Sequence, residues 1–249
     1  MKLTVVGCAG SFARADAACS AYLVEAEGFR LMLDMGNGAL GALQQHIGLY
    51  DLDALYISHL HGDHFFDACS YVVARRYGPQ GLQPVLPLFA PRGTLARFAR
   101  ACEINPQEAR LGEVYDERVL AAATFEIGPF RVTTGRMNHP VETYGVRLEH
   151  GGRVLAYSAD SAPTEALTAL ARDADVFLCE ATWSSAVANP PGLHVTGAEA
   201  GQHAEEAGVA QLLLTHLTSW TDHNRILDEA AGTFGGKVAV VASGDSYDV

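Results

Sequence analysis

Lysine is scarce in this chain: Lys2 and Lys237 are the only two among 249 residues. With 17 basic and 29 acidic residues the formal net charge is −12, which argues against a broad phosphate-tracking surface, because nucleic-acid binders present a basic face. A small anionic ligand stays open, since bound divalent cations make a pocket locally positive. No apolar run approaches the ~20 residues of a membrane span. The N-terminus has no basic segment leading into a long apolar stretch, so neither a membrane anchor nor a secretory signal is expected. Cysteine is sparse and scattered: Cys8, Cys19, Cys69, Cys102 and Cys179 are odd in number and form no CxxC pair. They read as reduced thiols of a cytoplasmic protein. Linkers, repeats and low-complexity tracts are also missing. A composition of 49% hydrophobic and 18% charged residues then suits one globular domain over 1–249 with a sizeable core.

What the chain does have is histidine concentrated in one place. Residues 54–58 are short, apolar and β-prone, and read as a buried strand that ends where the histidines begin. His59, His61, Asp63 and His64 follow within six residues. Burying so many polar heads is costly without partners, and a divalent metal supplies one. His59 and His61, two apart, project alike from an extended segment, whereas Asp63 and His64 lie beyond Gly62, where the chain can turn. Two pairs aimed in different directions suit two metals better than one.

Elsewhere the pattern alternates. Strands are expected at 3–6, 21–25, 29–34, 85–89, 125–127, 130–134, 144–148, 154–157, 176–180, 212–216 and 238–242. Helices are expected at 39–45, 67–77, 94–101 (capped by Thr94), 106–111, 164–171, 196–207 and 222–234. Thr196 with Glu199 three residues on forms a capping-box pattern. Asp34, Asp160 and His216 close predicted strands, and His139 follows one. Alternating strands and helices with antiparallel hairpins at the edges suit two packed sheets with helices outside. Taken singly, each of these later residues is a weak candidate for chemistry.

The segment His59-Leu60-His61-Gly62-Asp63-His64 resembles the HxHxDH signature of the metallo-β-lactamase-fold hydrolases. The resemblance implies an α/β fold, a four-layer αββα sandwich. It also implies a ligand set: His59, His61 and His139 on one metal, Asp63, His64 and His216 on the second, with Asp160 bridging. Asp34 becomes the carboxylate that holds a ligand histidine. His61 stands where redox-active di-iron members carry Glu, so the nitrogen-rich site favours hydrolysis with two divalent ions, zinc first and manganese or iron next. Glu180-Ala181-Thr182 and His194-Val195-Thr196 are similar to the extra motifs of the ribonuclease-Z-like phosphodiesterases. There His194 is the proton donor to a leaving alkoxide, Glu180 orients it, and Asp63 belongs to the catalytic set.

Two departures refine the expected substrate. Ser11-Phe12-Ala13-Arg14-Ala15-Asp16 replaces the RNA-binding segment of ribonuclease Z. His139 and Asp160 are only 21 positions apart, room for one hairpin and not for the tRNA-gripping arm inserted there in those enzymes. The resemblance is then to the small bacterial members without the arm, and it implies hydrolysis of a small anionic phosphodiester such as 3′,5′-cyclic AMP, without long nucleic acid or membrane partners, and a homodimer. The competing expectations are a tRNA 3′-end endonuclease and a non-catalytic nucleotide or metal sensor.

Overall fold

The computed structural model describes residues 1–102 and 110–249. In its first half, β1 (Lys2–Ala9), β2 (Ala18–Cys19), β3 (Ala21–Ala26) and β4 (Phe29–Leu33) precede the short helix α1 (Ala39–Leu43). β5 (Ala54–Tyr56), α2 (Gly62–Tyr77), β6 (Leu86–Ala90), α3 (Thr94–Ala101) and β7 (Tyr115–Val119) follow. The second half runs β8 (Thr124–Ile127), β9 (Phe130–Arg136), β10 (Tyr144–His150), β11 (Arg153–Tyr157), α4 (Glu165–Ala171) and β12 (Val176–Glu180). It ends with α5 (Gly197–Ala207), β13 (Gln211–Thr215), α6 (His223–Ala231), β14 (Lys237–Val240) and β15 (Ser246–Asp248).

These strands form two sheets. One has the order β15-β1-β3-β4-β5-β6-β7 with β2 beside β1, and the other β14-β13-β12-β11-β10-β9-β8. Strand periodicity explains how they stack, because successive side chains leave opposite faces. Tyr22, Val24, Leu31 and Leu33 meet Val146, Leu155, Tyr157, Leu178 and Leu213 in the core between the sheets. Leu23, Met32 and Leu55, on the other face, pack under α2 and α3 through Phe65, Tyr71 and Phe98. Ala156, Phe177, Leu212 and Leu214 pack under α4, α5 and α6 through Leu167, Ala200, Ala204 and Ile226. The layers are therefore helix, sheet, sheet, helix. Among the described residues no helix is long and apolar enough to cross a membrane.

Several boundaries differ from those expected. Helix α2 starts at Gly62, five residues before the predicted 67, so Asp63 and His64 sit in its first turn and not in a loop. His61 is its extended N-cap, and the Asp63 carboxylate suits the positive end of the helix dipole. Gly62 does not make a turn there; any Cβ on it would overlap the Phe66 ring. Helix α3 is capped by Gly93 in the left-handed region (φ 83°), while Thr94 Oγ1 donates instead to the Pro91 carbonyl at 2.7 Å. The helical piece expected at 106–111 falls mostly outside the described residues, and Leu111 opens a 3₁₀ turn, Leu111–Glu113. β1 continues through Gly7 and Cys8 to Ala9, past the end of the strand expected at 3–6. The short or charged edge strands β2, β7 and β15 carry too little apolar alternation to be read from sequence. The capping box at Thr196 and Glu199 forms as expected, and Thr164 and Asp222 cap α4 and α6.

Candidate metal centre

The site lies where strands of both sheets end. Parallel neighbours β4 and β5 deliver Asp34 and His59, and α2 then supplies His61, Asp63 and His64. Across the sandwich His139 follows β9, and the parallel trio β11, β12 and β13 delivers Asp160, Glu180 and His216. His194 comes from the loop before α5. Four non-glycine residues here hold left-handed backbone: Ser11 (φ 64°), Asp34 (58°), Ala159 (54°) and His216 (60°). Each costs on the order of 1–3 kcal/mol, and such strain gathers where side chains must be aimed.

The potential ligand atoms fall into two groups. His61 Nδ1 is 3.1 Å from both His59 Nε2 and His139 Nε2. Asp160 Oδ2 faces this group, 3.6 Å from His59 Nε2 and 3.9 Å from His139 Nε2. In the second group His216 Nε2 lies 3.1 Å from Asp63 Oδ2 and 3.3 Å from His64 Nε2. The other oxygen, Asp160 Oδ1, faces this second group at 3.2 Å from His64 Nε2 and 3.5 Å from His216 Nε2. Asp160 thus presents one oxygen to each set, as a bridging carboxylate does.

The outer edges of the rings fix what the inner edges offer. His139 Nδ1–H donates to the Leu193 carbonyl at 2.9 Å, and His64 Nδ1–H to Asp34 Oδ2 at 2.7 Å. Ser58 Oγ gives its proton to Asp34 and Thr182 Oγ1 gives its proton to Glu180, so these hydroxyls accept from His59 Nδ1 at 3.0 Å and His216 Nδ1 at 2.8 Å. Every Nε2 in the two groups therefore points a lone pair inward. Lone pairs held about 3 Å apart repel one another unless a cation lies between them. Asp160 Oδ1 is buried and accepts no well-formed hydrogen bond despite its proximity to His64. Both observations fit divalent metal ions.

Protonation follows the same logic. Burial, with like charge from neighbouring rings, keeps His59, His61 and His139 below the usual histidine range, hence neutral and ready to ligate. Burial alone would raise Asp63 and Asp160, but His64 and His216 outweigh it and hold both carboxyls well below their usual range. Burial would lower His64, yet Asp160, Asp63 and Asp34 around it raise it well above normal.

His194 is placed differently. Its Nδ1–H donates to Glu180 Oε1 at 2.9 Å, and Glu180 is fixed by Ser161 N at 2.7 Å and Thr182 Oγ1 at 2.8 Å. Its ring centroid stands 5.5 Å from those of both His139 and His216, and Trp183 packs edge-on against it. Burial pulls its pKa down, but Glu180, then Asp160 and Asp63, raise it to about 9. Asp160, His194 and His216 also lie close enough to hold an ion as a set, but two of them already face the other groups.

All the residues singled out from the sequence converge here: Asp34, His59, His61, Asp63, His64, His139, Asp160, Glu180, His194 and His216. His46, His150, His203 and His223 stand outside the clusters. Sequence reasoning missed the partners that orient them. Tyr157 OH donates to Asp34 Oδ2 at 2.8 Å from the opposite sheet, and Ser11 N donates to Asp63 Oδ2 at 2.8 Å. Ser58 ended the predicted strand before the histidines and Thr182 lay inside a motif, but nothing in their spacing disclosed their hydrogen bonds.

Comparison with known proteins agrees with the geometry. Residues 1–218 match the family model described as Anti-Pycsar protein Apyc1. The uncharacterized protein ML1173 of Mycobacterium leprae is 37% identical, aligned over 100% of this chain and 89% of its own length. The probable metallo-hydrolase YhfI of Bacillus subtilis is 31% identical over 98% of each chain. The crystal structure of the metallo-β-lactamase fold protein YhfI superposes with a TM-score of 0.89, covering 99% of this chain and 98% of that one at 29% identity. Ribonuclease Z of Methanosarcina mazei is 27% identical over 89% of each chain. The chain is a metal-dependent hydrolase of the metallo-β-lactamase fold and belongs to the family described as Anti-Pycsar protein Apyc1.

Proposed function

We propose that the site holds two divalent cations, zinc first, and hydrolyses a small phosphodiester, a cyclic nucleotide such as 3′,5′-cyclic AMP. The observation that carries this reading is Asp160, whose two buried oxygens face two separate ligand groups. His59, His61 and His139 would hold one ion, and Asp63, His64 and His216 the other. Bound there, the ions supply Lewis-acid stabilisation of phosphoryl charge and acidify water. The chain's own residues do the rest. Asp34 holds His64 in the tautomer that ligates, Glu180 holds His194 protonated, and His194 delivers that proton to the departing oxygen. Five free cysteines suit a protein of the cytoplasm, and a homodimer is the assembly we attach to this reading.

A tRNA 3′-end endonuclease is the second reading, favoured by the ribonuclease Z relative. Against it, the interval from His139 to Asp160 is taken up by the paired strands β10 and β11, and the net charge is −12. A non-catalytic sensor is disfavoured by the proton donor itself. The test is turnover of metal-loaded protein against cyclic mononucleotides, phosphodiester reporters and precursor tRNA. Hydrolysis of cyclic mononucleotides with intact tRNA is expected; efficient tRNA cleavage without it would overturn the reading.

A further inference from the structure

Tryptophan is as scarce in this chain as lysine: Trp183 and Trp220 are the only two. Trp183 packs against His194, but Trp220 is 74% exposed, more than any other large apolar side chain among the described residues. Its ring leans on Phe12, itself 39% exposed, with centroids 5.0 Å apart and planes inclined at 42°. Neither ring belongs to the apolar core. Both stand on loops fixed to metal ligands. The loops after β1 and β13 bridge at Ala9 and Leu217, and Gly10 N donates to the Leu217 carbonyl at 3.2 Å. Gly10 lies so close to His216 that a Cβ would overlap its carbonyl oxygen. Ser11, with φ 64°, centres a three-residue turn closed by Phe12 N to the Gly10 carbonyl at 2.7 Å. That turn aims the Ser11 amide at Asp63 Oδ2, and Phe12 Cα follows about 3.8 Å from Ser11 Cα. Trp220 comes four positions after His216, in a β-turn closed by Thr221 N to the Thr218 carbonyl at 3.2 Å. Thr221 Oγ1 ties this turn to the Thr182 carbonyl at 3.3 Å, and Thr182 Oγ1 accepts from His216 Nδ1. The two rings are thus anchored beside the Asp63, His64 and His216 ligand group.

We propose that Phe12 and Trp220 form a stacking platform for the nucleobase of the substrate whose phosphate is cleaved at the metal centre. The inference rests on the phosphodiesterase reading above and concerns the part of a cyclic nucleotide that the metal ligands do not address. Its single phosphate belongs at the cations, so ribose and base extend outward to the rim. A base presents a flat π-face there, and aromatic side chains bind such faces without needing matched donors and acceptors. Two rings suit one heterocycle, whereas a stable contact with another protein covers on the order of 1,000 Å². Exposed Ser11, Ser219, Asp222 and Asn224 flank the pair in the chain and keep the apolar patch small. Binding energy gained at the base then positions the diester at the metal centre.

The test compares 3′,5′-cyclic AMP with the methyl riboside 3′,5′-cyclic phosphate, in which a methoxy group replaces adenine and the scissile diester is the same. Metal-loaded wild type should prefer cyclic AMP in kcat/KM by roughly 5–150-fold, the usual effect of one base–aromatic stack. In the double variant Phe12→Leu, Trp220→Leu, which keeps apolar bulk and loses both π-faces, that ratio should fall towards one, mainly through KM. Trp220→Phe should keep most of it. No preference in wild type, or an equal loss on both substrates in the double variant, would overturn the proposal. So would an unchanged preference together with loss of an oligomer by light scattering, which would assign the rings to a contact between copies. If neither substrate is cleaved, the phosphodiesterase reading fails, and fluorescence decides the platform separately. In metal-loaded Trp183→Phe, where Trp220 is the sole indole, adenosine 5′-monophosphate should quench the emission saturably and ribose 5-phosphate should not; Phe12→Leu in that background should weaken the quenching. Absence of quenching by the adenine nucleotide would refute the platform.

Discussion

Replacing His194 by alanine separates a proton donor from a metal ligand. The side chain touches the rest of the protein mainly through one hydrogen bond, Nδ1–H to Glu180 Oε1 at 2.9 Å. Glu180 keeps Ser161 N and Thr182 Oγ1 as donors when that bond is lost. The stability cost is therefore that of one charge-assisted bond, about 1.5–3 kcal/mol. Turnover should fall far more, by ~10²–10⁴-fold, the usual worth of general acid catalysis. The loss should follow the leaving group. A cyclic nucleotide releases a ribose alkoxide that needs the proton, whereas a nitrophenyl diester releases a stable phenolate and should be largely spared. The pH profile carries the same signature. His194 donates only while protonated, and Glu180, against the effect of burial, raises it to about 9. Activity on the ribose leaving group is thus present below that pH and lost above it, and bound cations, which favour the neutral ring, bring the limb to or below 9. Glu180→Gln should shift the limb further towards acid. Steady-state kinetics on the two substrates, with metal content measured in parallel, tests this. Equal losses on both, or loss of a metal from His194→Ala, would refute the assignment.

Asp34→Ala should destabilise the fold by at least about 3 kcal/mol, because it strands the buried donors of Ser58, His64 and Tyr157; chemical denaturation measures it. Gly36→Ala should cost about 1–3 kcal/mol and weaken the Asp63, His64 and His216 ligand set selectively, since the new Cβ would overlap the Asp63 carbonyl oxygen; competition with a chelator reads the difference. Hydrolysis of small phosphodiesters should vary little between low and moderate salt, as few phosphates are contacted; a steep inverse dependence would point to a long nucleic acid substrate.

The centre was legible in the sequence to the extent that its residues are contiguous or end strands. His59, His61, Asp63 and His64 announce themselves by composition within six residues. Asp160 and His216 are weak alone and gain meaning from their order after strands whose apolar runs are plain. Periodicity could place helices and strands in layers, yet the pairing order of the two sheets rests on contacts between distant segments. Tyr157 shows the limit: it reads as a core residue of β11, and only the sheet-to-sheet packing brings its hydroxyl to Asp34, 123 positions away. The start of α2 was obscured because Gly62 looks like a turn residue, whereas its lack of a Cβ makes room for Phe66. Charged edge strands such as β7 face water on too many sides to show alternation.

The account turns on two cations sharing Asp160, and metal content per chain measures that directly. Protein loaded with zinc and freed of excess should carry two ions in wild type and one in His59→Ala. Asp160→Ala should weaken retention of both, because it removes an oxygen from each group. One ion or none in fully loaded wild type, or loss of only a single ion from Asp160→Ala, would contradict the bridged two-metal centre.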